Sequence, residues 1–317
     1  AFALRPASVF WREAYLEHTA RYRPAAAVVA AALAALAFLA PFADRFNAGV
    51  ATSFYNTADW DGESRITFTK HINDWAGDTA AQYGALAHSL LNGRLDLEKD
   101  PPAALLALEN PYDTAARQEA APDALWDVPF EWLTGVGDLP PSLPMILLAW
   151  LLILAAFGCV KQALRRWFPK ASAAAYLLAA TGVAAGSQIY YLLLRPSTYE
   201  YAILAGAAFV LLGLWQWLAA ANTPVQRRVR LALHLMLGSL CMALVAGCRP
   251  QMELFAVLAL PIFWRRYLRE KRLFTRAGAG EALAFLLPFA AVAALLMWYN
   301  AARFGSPFDF GANYNLT

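Results

Sequence analysis

The chain has 317 residues, of which 60% are hydrophobic and only 15% are charged. A typical soluble domain has about 25% charged residues, so this composition excludes an ordinary soluble protein and indicates an integral membrane protein. The net charge of +3 says less than the positions of the charges, and we expect no nucleic-acid partner. The three cysteines lie in apolar runs, which predicts small buried side chains rather than disulfides or metal ligands.

Apolar runs of about 20 residues, the length that crosses ~30 Å of hydrocarbon, recur along the chain. They predict membrane spans at 24–43, 142–160, 172–194, 200–221, 231–248, 250–264 and 280–300. The sixth run is short, and two alternatives stay open: it extends back through Cys248, or it is partly re-entrant. The sequence therefore predicts an all-α integral membrane protein. It has about seven transmembrane helices and a long, partly helical first extracytoplasmic loop.

Lysine and arginine alternate between the connections. They precede the first span and fill the connections between the second and third, fourth and fifth, and sixth and seventh spans. Because basic residues favour the cytoplasmic side, this pattern places the N-terminus in the cytoplasm. We assign 1–23 as a cytoplasmic amphipathic segment and 24–300 as a seven-span module that includes an outer loop at 44–141. Residues 301–317 begin a further outer loop, and we expect the chain to be truncated there.

The outer loop 44–141 holds 16 of the 23 acidic residues and only six lysines or arginines. Loops of this length are usually functional or disordered, and four tryptophans favour the first alternative. Helical periodicity runs through 78–92, with Asp78 at the N-cap position and Gly93 where a C′ glycine would end the helix. A second short helix is predicted at 101–108, between two proline-containing segments.

Several segments stand in a recognisable order. A first span and a long outer loop lead to Gly77-Asp78, and the helix opened there ends at Leu90-Leu91-Asn92-Gly93. Further segments in the pattern are 101–113, 125–127, 195–200, 247–251 and 299–311. Together they resemble bacterial membrane glycosyltransferases of the C superfamily, multi-span enzymes that use polyprenyl-phosphate sugars, such as mannosyl- and arabinosyltransferases. The resemblance covers most of the chain and implies the GT-C fold in the bacterial inner membrane, as a multi-pass protein.

The resemblance implies a catalytic acidic residue early in the first outer loop, and Asp78 is the matching position. Its carboxylate would deprotonate an acceptor hydroxyl as a general base, or ligate a divalent metal as in related branches. The alternative is that Asp78 only caps its helix, a contribution of about 1 kcal/mol. Asp74, four residues earlier, is the second catalytic candidate, since it could share the base role or the metal. We assign no cofactor; a divalent metal stays open.

Three arginines depart from the rule that basic residues stay inside: Arg195, Arg249 and Arg303 lie at the outer ends of spans. A guanidinium near hydrocarbon usually has a partner, and a lipid-linked phosphate suits its bidentate fork. Snorkelling to head groups or pairing with a nearby carboxylate is the alternative for each of them. Arg249 is our first choice, because Pro250 interrupts the helix beside it and would shape a pocket.

Four further residues complete the candidate substrate-binding set: Tyr199, Glu200, Gln82 and His88. Glu200 begins the fourth span at the outer boundary, where solvation is the alternative explanation for a carboxylate. His88 lies ten residues after Asp78, about 80° around a helix and nearly three turns along it, so direct pairing of the two is not expected.

The sequence thus predicts inverting transfer of a sugar from a polyprenyl-phosphate donor to a glycan, lipid or protein acceptor of the cell envelope on the outer membrane face. A transporter of lipid or polysaccharide is one alternative, but spans nearly free of ionisable residues, His234 and Glu253 aside, count against it. A non-catalytic envelope assembly protein is the other. The stretch 128–141 departs from the family pattern, so the acceptor side of the site is not assigned.

Overall fold

The computed structural model describes residues 22–40, 59–60, 66–67, 93–95, 142–194 and 198–308. These residues form mostly helices. The α-helices are α1 (Tyr22–Leu39), α2 (Ser142–Trp167), α3 (Ala173–Gly186), α4 (Ile189–Leu194), α5 (Thr198–Asn222), α6 (Arg228–Cys248), α7 (Ala259–Phe263) and α8 (Arg276–Phe304). Irregular helices cover Pro250–Leu258 (3₁₀), Trp264–Arg269 (π) and Arg272–Phe274 (3₁₀). Strands β1 (Asp59–Trp60) and β2 (Ile66–Thr67) pair antiparallel, with Asp59 opposite Thr67.

Among the described residues, five helical stretches are long and apolar enough to cross a membrane. They are Tyr22–Leu39, Leu143–Trp167, Glu200–Asn222, Arg228–Cys248 and Arg276–Ala302. Each corresponds to one of the predicted spans, and together they make the chain an all-α protein of the multi-pass membrane type. The count of seven spans stays a prediction, because the third and sixth predicted spans are interrupted.

The third predicted span is divided between α3 and α4. Gly186 ends α3, and the Ser187 hydroxyl donates a 2.5 Å hydrogen bond to the Val183 carbonyl, a local bond that competes with helix continuation. Gln188 then adopts the left-handed conformation with φ 57°, and α4 starts from its carbonyl, which accepts from the Leu192 N–H at 3.0 Å. The sequence pattern predicted one continuous span here.

The chain folds as two compact units. The first comprises Ala1–Ala40, Met145–Leu193 and Ala202–Ala293, and fully buried Trp217 on α5 lies in its hydrophobic core. The Trp217 ring stacks on Phe285 of α8 at 5.2 Å between centroids, and its indole N–H donates to the Ser239 hydroxyl of α6 at 3.2 Å. A Cβ on Gly238 would lie only 2.4 Å from Trp217 Cδ1, so the absent side chain allows α5 and α6 to approach closely.

One end of the first unit is strongly basic, and there arginines tie the helices together. Arg166, near the end of α2, donates to the Ile262 carbonyl at 2.7 Å and to the Ala221 carbonyl at 3.2 Å. Arg266 donates to the Ala220 carbonyl at 2.8 Å and to the Thr223 carbonyl. These carbonyls lie at or next to the C-terminal ends of α5 and α7, where cations are favoured. We call this region the basic end; three of the predicted cytoplasmic connections meet at it.

A buried carboxylate joins α8 to the basic end. Glu281 is 7% exposed and pairs with Arg272, whose Nε donates to Oε2 at 2.9 Å. The Tyr267 hydroxyl donates to the same oxygen at 2.7 Å. These contacts raise the pKa of Arg272, and burial together with Glu281 raises the pKa of Tyr267. Both carboxyl oxygens of Glu281 thus accept hydrogen bonds from Arg272, the geometry that a buried pair needs in order to contribute stability.

The second unit comprises Pro41–Pro144, Leu194–Tyr201 and Ala294–Thr317. Within it α8 ends at Phe304, followed by Gly305 in the left-handed conformation with φ 75°, a common helix terminator. Buried Asn300 donates to the Pro307 carbonyl at 3.4 Å and holds the chain after the helix. Gly93 also has a positive φ, 74°, which suits the C′ role predicted for it. The predicted helices 78–92 and 101–108 lie outside the described residues.

Candidate functional site

The site that the described residues support best is a helix break between α6 and the 3₁₀ segment. The α6 helix ends at Cys248, and the Arg249 N–H donates to the Val245 carbonyl at 2.8 Å as the last helical bond. Arg249 itself is extended, with φ −146° and ψ 94°. A residue before proline is driven out of the helical region by the proline ring, so Arg249-Pro250 terminates α6 for a local steric reason. The predicted interruption is thus confirmed.

The break lies far from the basic end. The α6 helix begins at Arg228 and contains 21 residues, which gives a rise of about 30 Å from one end to the other. This length equals the hydrocarbon thickness of a typical bilayer. Arg249 is therefore separated from the cluster of Arg166, Arg266 and Arg272 by the full length of a membrane-crossing helix.

The chain supports the break through a close contact with α5. A Cβ built on Gly206 would lie 2.9 Å from Met252 Sδ, 3.6 Å from Arg249 Cβ and 3.8 Å from Cys248 Cβ. A glycine at this position lets the α5 backbone approach the break more closely than any other residue would allow. The position of the Arg249 Cα–Cβ bond is consequently fixed by packing on a rigid helix as well as by Pro250.

Polar atoms of two side chains are buried near the break. They are Nε of Arg249 and Oε2 of Glu253. Within the described part of the chain, Glu253 Oε2 accepts no hydrogen bond. A buried carboxyl oxygen without a donor is costly, by roughly 1–3 kcal/mol or more, and such groups are few in native structures. The 3₁₀ segment therefore carries an acceptor that the surrounding described protein leaves unsatisfied.

The 3₁₀ geometry determines the direction in which Glu253 points. With three residues per turn, side chains three apart lie above one another, and Glu253, Ala256 and Ala259 form the half-buried ridge of this segment. The opposite side is apolar and open: Leu254 is 75% exposed and Val257 is 59% exposed. Glu253 thus belongs to the ridge that faces protein, and the open side is of the kind that contacts lipid.

Other predicted site residues occupy the ends of helices. Tyr199 and Glu200 stand together in the first turn of α5, where a carboxylate is favoured by the helix dipole, and Glu200 is half-buried. Arg303 lies in the last turn of α8. The remaining candidates lie outside the described residues: Asp74, Asp78, Gln82, His88 and Arg195. Their relation to Arg249 stays a prediction.

No described group of three or more histidine, cysteine, aspartate or glutamate side chains could hold a metal ion. This finding does not reach Asp74 or Asp78, so a metal at Asp78 is untested. Cys159, Cys241 and Cys248 are free and half-buried, whereas their apolar surroundings predicted buried side chains.

The sequence identified Arg249 and Pro250 as site residues. It indicated Glu253 only as a carboxylate that could pair with an arginine, and it indicated no role for Gly206. A carboxylate four residues after the arginine, inside an apolar run, was the available signal for Glu253. No sequence pattern distinguishes Gly206 from other glycines in spans, since its importance depends on a contact between helices.

No family model, no curated protein and no solved structure matches this chain.

Proposed function

We propose that the chain is a membrane glycosyltransferase that moves a sugar from a polyprenyl-phosphate donor to a cell-envelope acceptor. The reaction takes place on the outer face of the bacterial inner membrane. Asp78 is the general base that deprotonates the acceptor hydroxyl, with Asp74 as the second carboxylate of the catalytic segment. A single displacement with one base and no covalent enzyme intermediate inverts the configuration at the anomeric carbon.

The observation that carries the proposal is Arg249 at the helix break. Its Nε atom is buried at the end of a membrane-length helix, a depth at which a charged side chain is stabilised by groups of opposite charge. A lipid-linked phosphate is an anion that reaches this depth, because its polyprenyl chain lies in the hydrocarbon. The guanidinium binds phosphate oxygens bidentately, which fixes the donor in one orientation.

The topology supports the same assignment. With the basic end in the cytoplasm, the distribution of lysine and arginine predicts an extracytoplasmic position for both the helix break and the outer loop 44–141. The same sequence pattern assigns Asp78 and Arg249 to one side of the membrane, as the proposed reaction requires of its base and its phosphate ligand. Arg195 and Arg303, at outer ends of spans, are the additional candidates for the phosphate.

Two substitutions test the proposal with the full chain in lipid nanodiscs. Arg249→Ala should weaken equilibrium binding of undecaprenyl phosphate by about tenfold or more, the loss of a charge-assisted hydrogen-bond pair. Arg227→Ala, at the basic end, is the matched control and should leave binding unchanged. Asp78→Asn keeps most of the capping ability and removes the base, so it should abolish sugar transfer while binding persists.

Unchanged binding in Arg249→Ala would exclude Arg249 as the phosphate ligand. Full transfer activity in Asp78→Asn would exclude Asp78 as the base. Envelope assembly that survives Asp78→Asn, in a protein without any transfer activity, would favour a non-catalytic assembly protein.

A further inference from the structure

We propose that Glu253 is a specificity residue that accepts a hydrogen bond from a hydroxyl group of the donor's sugar. The inference rests on the proposed function, since it assumes that Arg249 holds the phosphate of the same donor. It goes beyond that function because it assigns the recognition of the sugar to a residue of the 3₁₀ segment.

The first argument is the unsatisfied oxygen. Glu253 Oε2 is buried and accepts no hydrogen bond within the described part of the chain. A native structure retains such an atom where another group completes it, and an ionisable residue in a membrane segment is a functional candidate for that reason. The missing partner must be a hydrogen-bond donor, and a sugar hydroxyl is a strong and uncharged one.

The second argument is position. Glu253 lies in the first turn of the 3₁₀ segment that Arg249 precedes, four residues away in the chain. At about 2.0 Å rise per residue, this separation corresponds to roughly 6–8 Å along the segment. In a sugar phosphodiester, the sugar hydroxyls lie a few ångströms from the phosphorus atom. A donor whose phosphate is bound by Arg249 therefore places its sugar within reach of a carboxyl group at this spacing.

The third argument is chemical selectivity. A carboxylate repels a phosphate and attracts a hydroxyl, so the two side chains divide the donor into its two parts. Arg249 recognises the phosphate group, which all polyprenyl phosphates share, and Glu253 recognises a hydroxyl group that is present only when the carrier holds a sugar. Because a site that hydrogen-bonds a hydroxyl strongly rejects analogues lacking it, Glu253 would make the enzyme discriminate between loaded and unloaded lipid carriers.

The packing makes the arrangement rigid enough for this role. Gly206 of α5 holds the residues around Met252 in close contact, and Glu253 shares its ridge with Ala256 and Ala259, whose small side chains allow the segment to lie close to its neighbours. A carboxyl group on a packed ridge keeps its direction, and a fixed direction is needed to select among hydroxyl positions.

The test compares unloaded and loaded carriers. Undecaprenyl phosphate and undecaprenyl phosphate carrying mannose, glucose or arabinose are titrated against the full chain in nanodiscs. The wild type should bind at least one loaded lipid about tenfold more tightly than undecaprenyl phosphate. Glu253→Gln and Glu253→Ala should lose this preference and keep the affinity for undecaprenyl phosphate. Glu270→Gln, an exposed carboxylate at the other end of the same stretch, is the matched control and should retain it.

The outcomes separate the two proposals. A wild type that binds none of these lipids overturns the proposed function, and with it this inference. A wild type that binds undecaprenyl phosphate through Arg249 but shows the same sugar preference after Glu253→Gln and Glu253→Ala overturns this inference alone. Equal weakening of loaded and unloaded lipids in both variants also overturns it, because that result assigns Glu253 a structural role.

Discussion

Gly206 provides the sharpest test of how the helix break is positioned. It lies on α5, where an added Cβ would meet Met252 Sδ at 2.9 Å and Arg249 Cβ at 3.6 Å. The two contacting atoms differ in how easily they can move away from the added Cβ. Sδ belongs to the flexible end of a methionine, whereas Arg249 Cβ is attached directly to the backbone of the break. Substitutions of increasing size at Gly206 therefore displace first a side chain and then the break.

Gly206→Ala should have a small effect, a loss of undecaprenyl phosphate affinity of no more than about threefold, because methionine adapts readily to irregular gaps. Gly206→Val adds γ-carbons about 1.5 Å beyond Cβ, and these cannot be accommodated without moving the break. A displacement of about 1 Å in a positioning residue can reduce activity by on the order of 100-fold. We expect a ten- to hundredfold loss of affinity for Gly206→Val, with a stability cost of about 1–3 kcal/mol from overpacking.

The assay is equilibrium binding of undecaprenyl phosphate to the nanodisc-embedded protein, with thermal unfolding measured in parallel. Gly182→Val is the matched control, since a Cβ at Gly182 of α3 meets nothing within 4 Å. It introduces the same β-branched residue into a helix and should leave affinity unchanged. Replacing Met252 by alanine together with Gly206→Ala removes the nearest obstacle and should restore the wild-type affinity.

Wild-type affinity in a folded Gly206→Val protein would refute the reasoning, because it would show that the position of Arg249 does not depend on α5. Equal losses in Gly206→Val and Gly182→Val would refute it as well, since the effect would then reflect helix propensity rather than contact with the break.

Two further predictions concern stability. Gly238→Ala would place a Cβ 2.4 Å from the Trp217 ring. We therefore expect destabilisation of about 1–3 kcal/mol or more, measured as a lower midpoint of thermal unfolding in detergent. An unchanged midpoint would show that α5 and α6 can separate without cost. Arg272→Ala leaves Glu281 buried without its cation and should lower the free energy of unfolding by about 3–5 kcal/mol. The control Arg276→Ala, at an exposed position nearby, should lower it by less than about 0.5 kcal/mol. Equal midpoints of thermal unfolding in the two arginine variants would contradict the buried-pair interpretation.

The sequence predicted the parts of this structure that depend on local chemistry. Five long apolar helices correspond to predicted spans, because twenty apolar residues have few alternatives to a helix in hydrocarbon. The interruption at Arg249-Pro250 was also predicted, since a proline restricts the residue before it regardless of tertiary context. The positive φ of Gly93 follows the same logic, as a residue without Cβ at a predicted helix end.

Features that depend on contacts between distant segments were not predictable in this way. The arginines of the basic end were interpreted only as topology signals, yet Arg166 and Arg266 bind particular carbonyls of α5 and α7. Glu281 has no sequence neighbour that marks it as buried, and its partner Arg272 is supplied by the preceding connection. The importance of Gly206 and Gly238 comes from what lies opposite them: Met252 and Arg249 for Gly206, and the Trp217 ring of α5 for Gly238.

The short sixth run is explained by its backbone geometry. As a regular α-helix, the 14 residues from Pro250 to Phe263 would rise only about 21 Å, too little for a hydrocarbon core of about 30 Å. Nine of these residues are in the 3₁₀ conformation, at about 2.0 Å per residue, which lengthens the same stretch to roughly 25 Å before the π segment adds to it. The extended helix also gives the three-residue period that aligns Glu253 with Ala256 and Ala259 on one ridge. A long 3₁₀ stretch is uncommon. Here the 3₁₀ conformation both brings the sixth run close to membrane length and directs the Glu253 carboxylate toward the protein.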